Sequence, residues 1–443
     1  MGAGDDGESA GPPVRLMVVV DGDHHPDVTE AAIANLGGVV AAVIIGGGEK
    51  AAADFHLGVP VTDDFRAGLE SFAPDQVVEL SDEPVLTDRG RFDLASIALA
   101  NGVGWRGGGW SVEPPPRPHL TDMPSIAVIA TAKRAGKTAL SASVARRAKE
   151  RGRKPVIVAM SRGGPSQPEV IDPASTDLSA AGLLARADNG DHAASDHIEG
   201  ALCAGVPSVG TRRCGSGIAG APTFANYVAG VLRAQGLGDL LLLEGSGSAI
   251  PPCAADATLL VVPSSSDPEH FSDYLNPMRV LIADAVAITM ASESGAESAR
   301  SLDLLELEIT RVDPMIPVLR TLFRPYPLEP IAGSRVFLTT TAPAVGQDGL
   351  VDDLESRWGA QVVAVSHHLA EREKLRADLV DGAAGADVIV TELKAAGVDV
   401  AARFALETGK RVVFCDHRAE LVEGSPLDHH LDALIDRATA RTL

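Results

Sequence analysis

The chain has 443 residues, 45% hydrophobic and 22% charged, enough for two or three packed domains and too apolar for bulk disorder. Its formal charge is −22, with 60 acids against 38 bases, which argues against a general nucleic-acid binder. Its apolar runs fall far short of the ~20 residues a bilayer requires, and four scattered cysteines suggest neither a disulfide framework nor a zinc knuckle. A cytoplasmic, membrane-free setting is therefore expected.

In chain order, residues 1–13 are acidic and Gly-rich and read as a loose tail. From 14 to 120 the chain alternates apolar runs with helical stretches. LMVVV (Leu16–Val20) ends at Asp21-Gly22, a helix is expected over Pro26–Leu36, and VVAAVII (Val39–Ile45) ends at Gly46-Gly47-Gly48. That rhythm predicts an N-terminal α/β domain, with a boundary in the Gly/Pro-rich stretch Trp105–Pro118. The segment 121–443 reads as the catalytic core. IAVIA (Ile126–Ala130), PVIVAM (Pro155–Met160), DLLLLE (Asp239–Glu244), ATLLVVP (Ala257–Pro263), AVAIT (Ala285–Thr289), RVFLTT (Arg335–Thr340), DVIVTE (Asp387–Glu392) and RVVFCD (Arg411–Asp416) are its strands. Their near-continuous apolar character suits strands covered on both faces. The predicted fold is a doubly wound, mostly parallel α/β core of P-loop NTPase type.

Between the first core strand and a helix lies Thr131-Ala132-Lys133-Arg134-Ala135-Gly136-Lys137-Thr138. Gly136, Lys137 and Thr138 fit the phosphate-binding loop pattern, in the right strand–loop–helix context, although Thr131 stands where its first glycine belongs. Backbone N–H groups at a helix N-terminus can cradle phosphate. Lys137 can reach the β/γ oxygens and Thr138 can offer a hydroxyl to Mg²⁺. Glu244, closing an apolar strand before Gly-Ser-Gly-Ser, is placed to share that metal.

Thirty of the 38 bases are arginine, whose planar fork suits phosphate oxygens. Three arginine-bearing segments read as turns that bind phosphate: Arg162 in SRGGP, Arg212 and Arg213 in TRRCGSG, and Arg324 in LFRP. In a chain of −22, only a local cluster of fixed cations can reverse the field inside a cleft. His24 and His25, in DGDHHP, end the first strand and are candidates for phosphate or metal. Asp196-His197, His367-His368 and Thr391-Glu392-Leu393-Lys394 are softer candidates. Cys214 lacks an evident histidine partner for nucleophilic work.

At these residues the chain resembles the cyclic 2,3-diphosphoglycerate synthetases, a family also described as predicted P-loop GTPases. The resemblance runs through VVVDGDHHP, SDEPV, RFDLASIALANGV, KRAGKTA, VAMSRGGPSQPEVI, HAASDHIE, RRCGSGIAG, LLEGSGSAIPP, FRPYPLE, VSHHLAER and TELKAAGVDV, almost the whole chain after the tail. It implies ATP-dependent closure of a phosphoanhydride ring in 2,3-diphosphoglycerate, with ADP and phosphate released and Mg²⁺ required. By this resemblance Lys133, Arg134, Ala135, Gly136, Lys137 and Thr138 bind ATP, and Thr138 and Glu244 hold the metal. Lys137, Arg162, Arg212, Arg213 and Glu244 then carry catalysis. His24, His25, Arg162, Arg212, Arg213 and Arg324 contact the substrate, and a homodimer fits the class. Two other readings stay open: another P-loop ligase or kinase acting on a small acid, similar in logic to dethiobiotin synthetase, and a GTPase-like regulatory module.

Overall fold

The computed structural model describes residues 14–45, 57–291, 296–344, 347–423 and 426–440; the acidic segment 1–13 and the Gly46–Gly48 turn lie outside them. The chain forms two compact units. One comprises the residues up to Pro115 together with His270–Ile282; the other comprises Pro116–Glu269 and Ala283–Leu443.

The first unit holds β1 (Leu16–Asp21), α1 (Pro26–Leu36), β2 (Val39–Ile45), β3 (Val61–Thr62), α2 (Phe65–Phe72), β4 (Gln76–Glu79), α3 (Asp88–Ala100), β5 (Gly104–Gly107) and β6 (Trp110–Val112). Its sheet runs β3-β2-β1-β4-β5-β6, parallel but for the β5–β6 hairpin. β1 is central and buried throughout, as its unbroken apolar run dictates. The sequence reading keeps all of 121–443 in one core, yet His270–Ile282 returns to this unit. Tyr274 sets its ring edge-on to Phe92 of α3 at 5.4 Å, and Arg89 donates to the Ser272 hydroxyl at 2.6 Å.

The second unit is built on a 13-stranded sheet. Its strands are β7 (Ser125–Ala130), β8 (Pro155–Ser161), β9 (Glu169–Ile171), β10 (Ser208–Cys214), β11 (Phe224–Ala225), β12 (Leu240–Glu244), β13 (Ala257–Pro263), β14 (Ala285–Thr289), β15 (Val318–Pro327), β16 (Arg335–Thr339), β17 (Gln361–Ser366), β18 (Val388–Thr391) and β19 (Arg411–Leu421). The order is β11-β10-β8-β12-β7-β13-β14-β15-β19-β18-β16-β17, with β9 paired to β10. From β10 to β15 every neighbour is parallel, and β19-β18-β16-β17 forms a second parallel run. The two runs meet at one antiparallel seam, where Thr321–Pro327 of β15 pairs with Leu421–Cys415 of β19. The doubly wound, mostly parallel architecture expected from the sequence is what the chain adopts. No helix among the described residues is long and apolar enough to cross a membrane.

Three helices position the site. α4 (Lys137–Glu150) follows β7, α5 (Ala180–Asp188) follows β9, and α6 (Asp196–Ala204) precedes β10. The alanine-rich α4 buries Leu140, Ala142, Val144, Ala145 and Ala148 against β7, β8 and β12, small side chains that let a helix lie close to a sheet. α6 is divided between two cores. Cys203 and Ala204 join the cluster under α4, whereas Ile198 and Ala201 join one with Leu393, Val398 and Ala401.

A buried ion pair ties α4 to the seam: Arg146 donates to Asp416 of β19 at 2.8 Å and to the Cys203 carbonyl at 3.0 Å. Asp416 is only 4% exposed, so Arg146→Met removes its hydrogen-bonded cation and leaves a buried carboxylate with only Arg418, at 3.6 Å, and the His417 N–H beside it. A loss of about 3 kcal/mol in urea unfolding is expected, with most of it regained when Asp416→Asn is added.

Candidate active site

β7 ends at Ala130, and the chain turns through residues 131–136 into α4. Two positions in this turn take left-handed backbone, Arg134 at φ 62° and Gly136 at φ 90°. Glycine is needed at 136 for a second reason. A Cβ there would lie 2.3 Å from the Phe323 ring of β15. The Ala135 carbonyl accepts from the Thr289 hydroxyl at 2.8 Å, so β14 pins the loop from below. Lys133 and Arg134 stay exposed at its tip.

Lys137 opens α4 and is almost entirely buried, its Nζ donating to the Gly247 carbonyl at 3.1 Å. Thr138 donates its hydroxyl to Glu244 Oε1 at 2.6 Å. Glu244 ends β12, adjacent to β7 in the sheet, so the strand register alone brings it to the loop. Its other oxygen, Oε2, is buried without a partner among the described residues. Burial, reinforced by the neighbouring Asp196 carboxylate, raises Glu244 to about 8. A buried, half-satisfied carboxylate beside a threonine hydroxyl is the donor set a hard divalent cation fits.

Asp196, the first residue of α6, faces the same point. Desolvation raises its pKa, against the pull of Lys137, His197, Lys394 and Lys133. Its carboxylate makes no hydrogen bond to another side chain among the described residues. Sequence reasoning gave this residue little weight. The only local sign was an acidic helix start after Ser195.

Arg162, in the turn after β8, and Arg213, near the end of β10, converge on Gly247. A Cβ on that glycine would lie 3.3 Å from Arg213 Nη2 and 3.7 Å from Arg162 Nη2. Arg213 donates to the Ser246 carbonyl at 2.7 Å and the Gly215 carbonyl at 2.8 Å. Among the described residues neither arginine has a carboxylate partner. Burial and the Arg162 charge both lower Arg213. Burial likewise lowers Lys137, with Arg213 and Arg162 adding repulsion. Three cations are thus gathered where their mutual repulsion favours an incoming anion.

The other two arginine candidates sit in strands, and the two histidines belong to the first unit. Arg212 and Arg213 were expected together in a turn. Both sit in β10, where successive side chains leave opposite faces, and Arg212 lies over the Phe224 ring at 6.0 Å. Arg324 is not in a turn either. It occupies the middle of β15 and pairs with Asp353 at 3.0 Å and Glu420 at 3.7 Å, while its neighbour Phe323 takes the face toward the loop. His24 and His25 belong to the first unit. His24 is hydrogen-bonded through Nδ1 to buried Asp21 at 2.7 Å, which raises its pKa, and exposed His25 caps α1 without a side-chain bond.

Residues 125–322 match the family described as cyclic 2,3-diphosphoglycerate synthetase, P-loop domain. Residues 15–113 and 327–418 match the N-terminal and C-terminal domains of the same synthetase. Proteins named cyclic 2,3-diphosphoglycerate synthetase are similar over nearly full length. The one from Rubrobacter xylanophilus is 40% identical, covering 94% of this chain and 96% of that one. The one from Thermococcus kodakarensis is 40% identical, covering 93% and 96%. Among solved structures, LpxK from Aquifex aeolicus in complex with ATP aligns with a TM-score of 0.40 and 15% identity, over 73% of this chain and 90% of that one.

Because Arg162 has no carboxylate to lose, Arg162→Ala is expected to leave Tm unchanged or slightly raised. The stabilisation that nucleotide or phosphorylated ligands confer should shrink in the same variant. Differential scanning fluorimetry with and without ligand reads both effects.

Proposed function

Since the chain belongs to the cyclic 2,3-diphosphoglycerate synthetase family, we propose that it closes the phosphoanhydride ring of cyclic 2,3-diphosphoglycerate at the loop before α4, consuming ATP. The observation that carries this reading is the meeting of Lys137, Arg162 and Arg213 around Gly247, beside the Thr138–Glu244 pair. Nucleotide binding follows from the P-loop domain; ATP as the nucleotide and Mg²⁺ as its metal are parts of this proposal.

In the proposed sequence an oxygen of one substrate phosphate attacks the γ-phosphorus. The bond to the β–γ bridging oxygen breaks and ADP leaves. The second substrate phosphate then attacks the phosphorus of the first, expelling inorganic phosphate and leaving an anhydride between the two substrate phosphates. Phosphate oxygens are already ionised, so no general base is required. The obstacle is repulsion: two unit charges 4 Å apart oppose each other by about 1 kcal/mol in water and about 4 kcal/mol near a protein surface. Lys137 faces the β/γ oxygens from the loop, while Arg162 and Arg213 hold the acceptor, offsetting that repulsion and fixing the line of attack. Mg²⁺, held by the Thr138 hydroxyl and Glu244 with Asp196 alongside, would neutralise charge on the nucleotide phosphates. A cytoplasmic setting and a homodimer belong to the same reading, and the four cysteines are free thiols, as a reducing compartment requires.

Incubation with ATP, Mg²⁺ and 2,3-diphosphoglycerate should give a ³¹P signal for the cyclic anhydride together with ADP. Lys137→Ala should remain folded and lose at least about 10²-fold in turnover. ADP formation independent of the diphosphate substrate would instead favour a nucleotide switch.

Glu244 also sets a pH dependence. With its pKa raised to about 8, the carboxyl is increasingly protonated as pH falls below that value, and a metal must displace the proton. The Mg²⁺ concentration for half-maximal activity should therefore be several-fold higher at pH 6.5 than at pH 8.5. A flat requirement across that range counts against Glu244 as a ligand.

A further inference from the structure

The carboxyl edge of the second parallel run carries a built cation that neither the family descriptions nor the site above employs. Glu392 follows β18 and is 2% exposed. It accepts from the Thr340 hydroxyl, from the Thr341 backbone N–H at 3.2 Å and from the Thr341 hydroxyl at 3.0 Å. The Lys394 ammonium lies 2.9 Å from its Oε2, and His417 Nε2 lies 3.7 Å from its Oε1. Donors from beyond the end of β16 thus fix a carboxylate beside β18, with His417 of β19 facing it. That carboxylate in turn fixes one lysine.

The backbone is bent to achieve this. Ala395 takes a left-handed φ of 51°, unusual for a residue with a Cβ. Gly397 follows where a Cβ would meet the Glu392 carbonyl at 2.2 Å, and residues Gly397–Ala402 form a π-helix. Strained backbone and π-helical turns concentrate at functional sites. The lysine is nevertheless not sealed away. Its side chain keeps 39% exposure while its carboxylate partner has 3%.

Lys394 is linked to the reaction site through α6. Leu393 and Ala396 share one core cluster with Ile198 and Ala201 of that helix. The Asp196 carboxylate feels Lys394 together with Lys137 and Lys133 of the loop. Glu199, one turn along, also neighbours Lys394 and is lifted by desolvation to about 8, so near neutrality the ammonium's main counter-charge is Glu392, and a group with three N–H donors keeps donors beyond that one pair.

We propose that Lys394, held in place by Glu392, binds an anionic oxygen of the phosphorylated acid, so that the substrate is gripped by the C-terminal sheet as well as by Arg162 and Arg213. This rests on the reading of the preceding subsection. It follows from charge bookkeeping on the substrate, which brings two phosphates and a carboxylate, more anionic groups than two arginines can fork. Glu392 is then a positioning residue that acts through the lysine.

The test compares Lys394→Met, Lys394→Arg and the charge-neutral double variant Glu392→Gln/Lys394→Met with the parent protein. It uses calorimetric binding of 2,3-diphosphoglycerate without nucleotide and steady-state kinetics in each substrate. Lys394→Met should weaken the acid, in Kd and KM, by about 10–100-fold and leave the KM for ATP within about twofold. Lys394→Arg should recover part of the loss. Should Lys394→Met fail to fold with Glu392 unpaired, the double variant gives the same reading. A folded variant that binds and turns over the acid like the parent overturns this inference and leaves the synthetase reading standing. A parent that binds the acid without ring closure, with Lys394→Met losing that binding, overturns the synthetase reading alone.

Discussion

Lys137, Arg162 and Arg213 are held around Gly247 and its neighbours, and among the described residues no carboxylate is dedicated to either arginine. That enforced repulsion is the constraint on which the site turns. A molecule of net charge −22 has acids enough to neutralise every arginine, and most of its arginines are so paired: Arg91 with Glu79, Arg147 with Asp432, Arg320 with Asp303 and Glu306. The arginines around Gly247 are exceptions by geometry. They hang from the carboxyl ends of β8 and β10, beside the Gly-Ser-Gly turn after β12, where Arg213 donates to the Ser246 and Gly215 carbonyls and Arg162 approaches Gly247. Main-chain carbonyls orient a guanidinium without cancelling its charge, so the field stays available to a ligand.

The carboxylates nearby follow the complementary logic. Glu244, Asp196 and Glu199 are all lifted by desolvation, which favours their protonated forms. Glu244 and Glu199, both lifted to about 8, therefore contribute less negative potential near neutrality than their formal charges suggest. A divalent cation or a polyanion entering this space meets groups whose protonation can adjust to it. The first parallel run makes such an arrangement natural, because the carboxyl ends of its strands open on one side.

Much of this was legible in the amino-acid order. Lys137, Thr138 and Glu244 were readable because local grammar fixes them: a GKT opening a helix after an apolar strand, and an acid closing another. Strand neighbourhood then does the rest. Asp196 was not readable in the same way, since it reaches the loop only through the packing of α6 between two cores. Arg212 was misplaced because a doubled arginine suggests one cluster, whereas alternation along β10 sends its two members to opposite faces. Arg324 was read in a turn, but it sits inside a strand. Pro325 in fact lies within β15, opposite His417 across the antiparallel seam, and the exposed-looking arginine is spent on Asp353 and Glu420.

The return of His270–Ile282 to the first unit bears on how such proteins can be inherited. A segment that begins at residue 15 and ends near 113 looks like an exchangeable cassette, but part of its packing comes from a stretch encoded more than 150 residues later. Tyr274 on Phe92 and Ser272 on Arg89 are partners that a swapped N-terminal piece would leave behind. Recombination between distant relatives at the Pro115 junction would therefore join mismatched surfaces, and the residues up to Pro115 are constrained to diverge together with His270–Ile282.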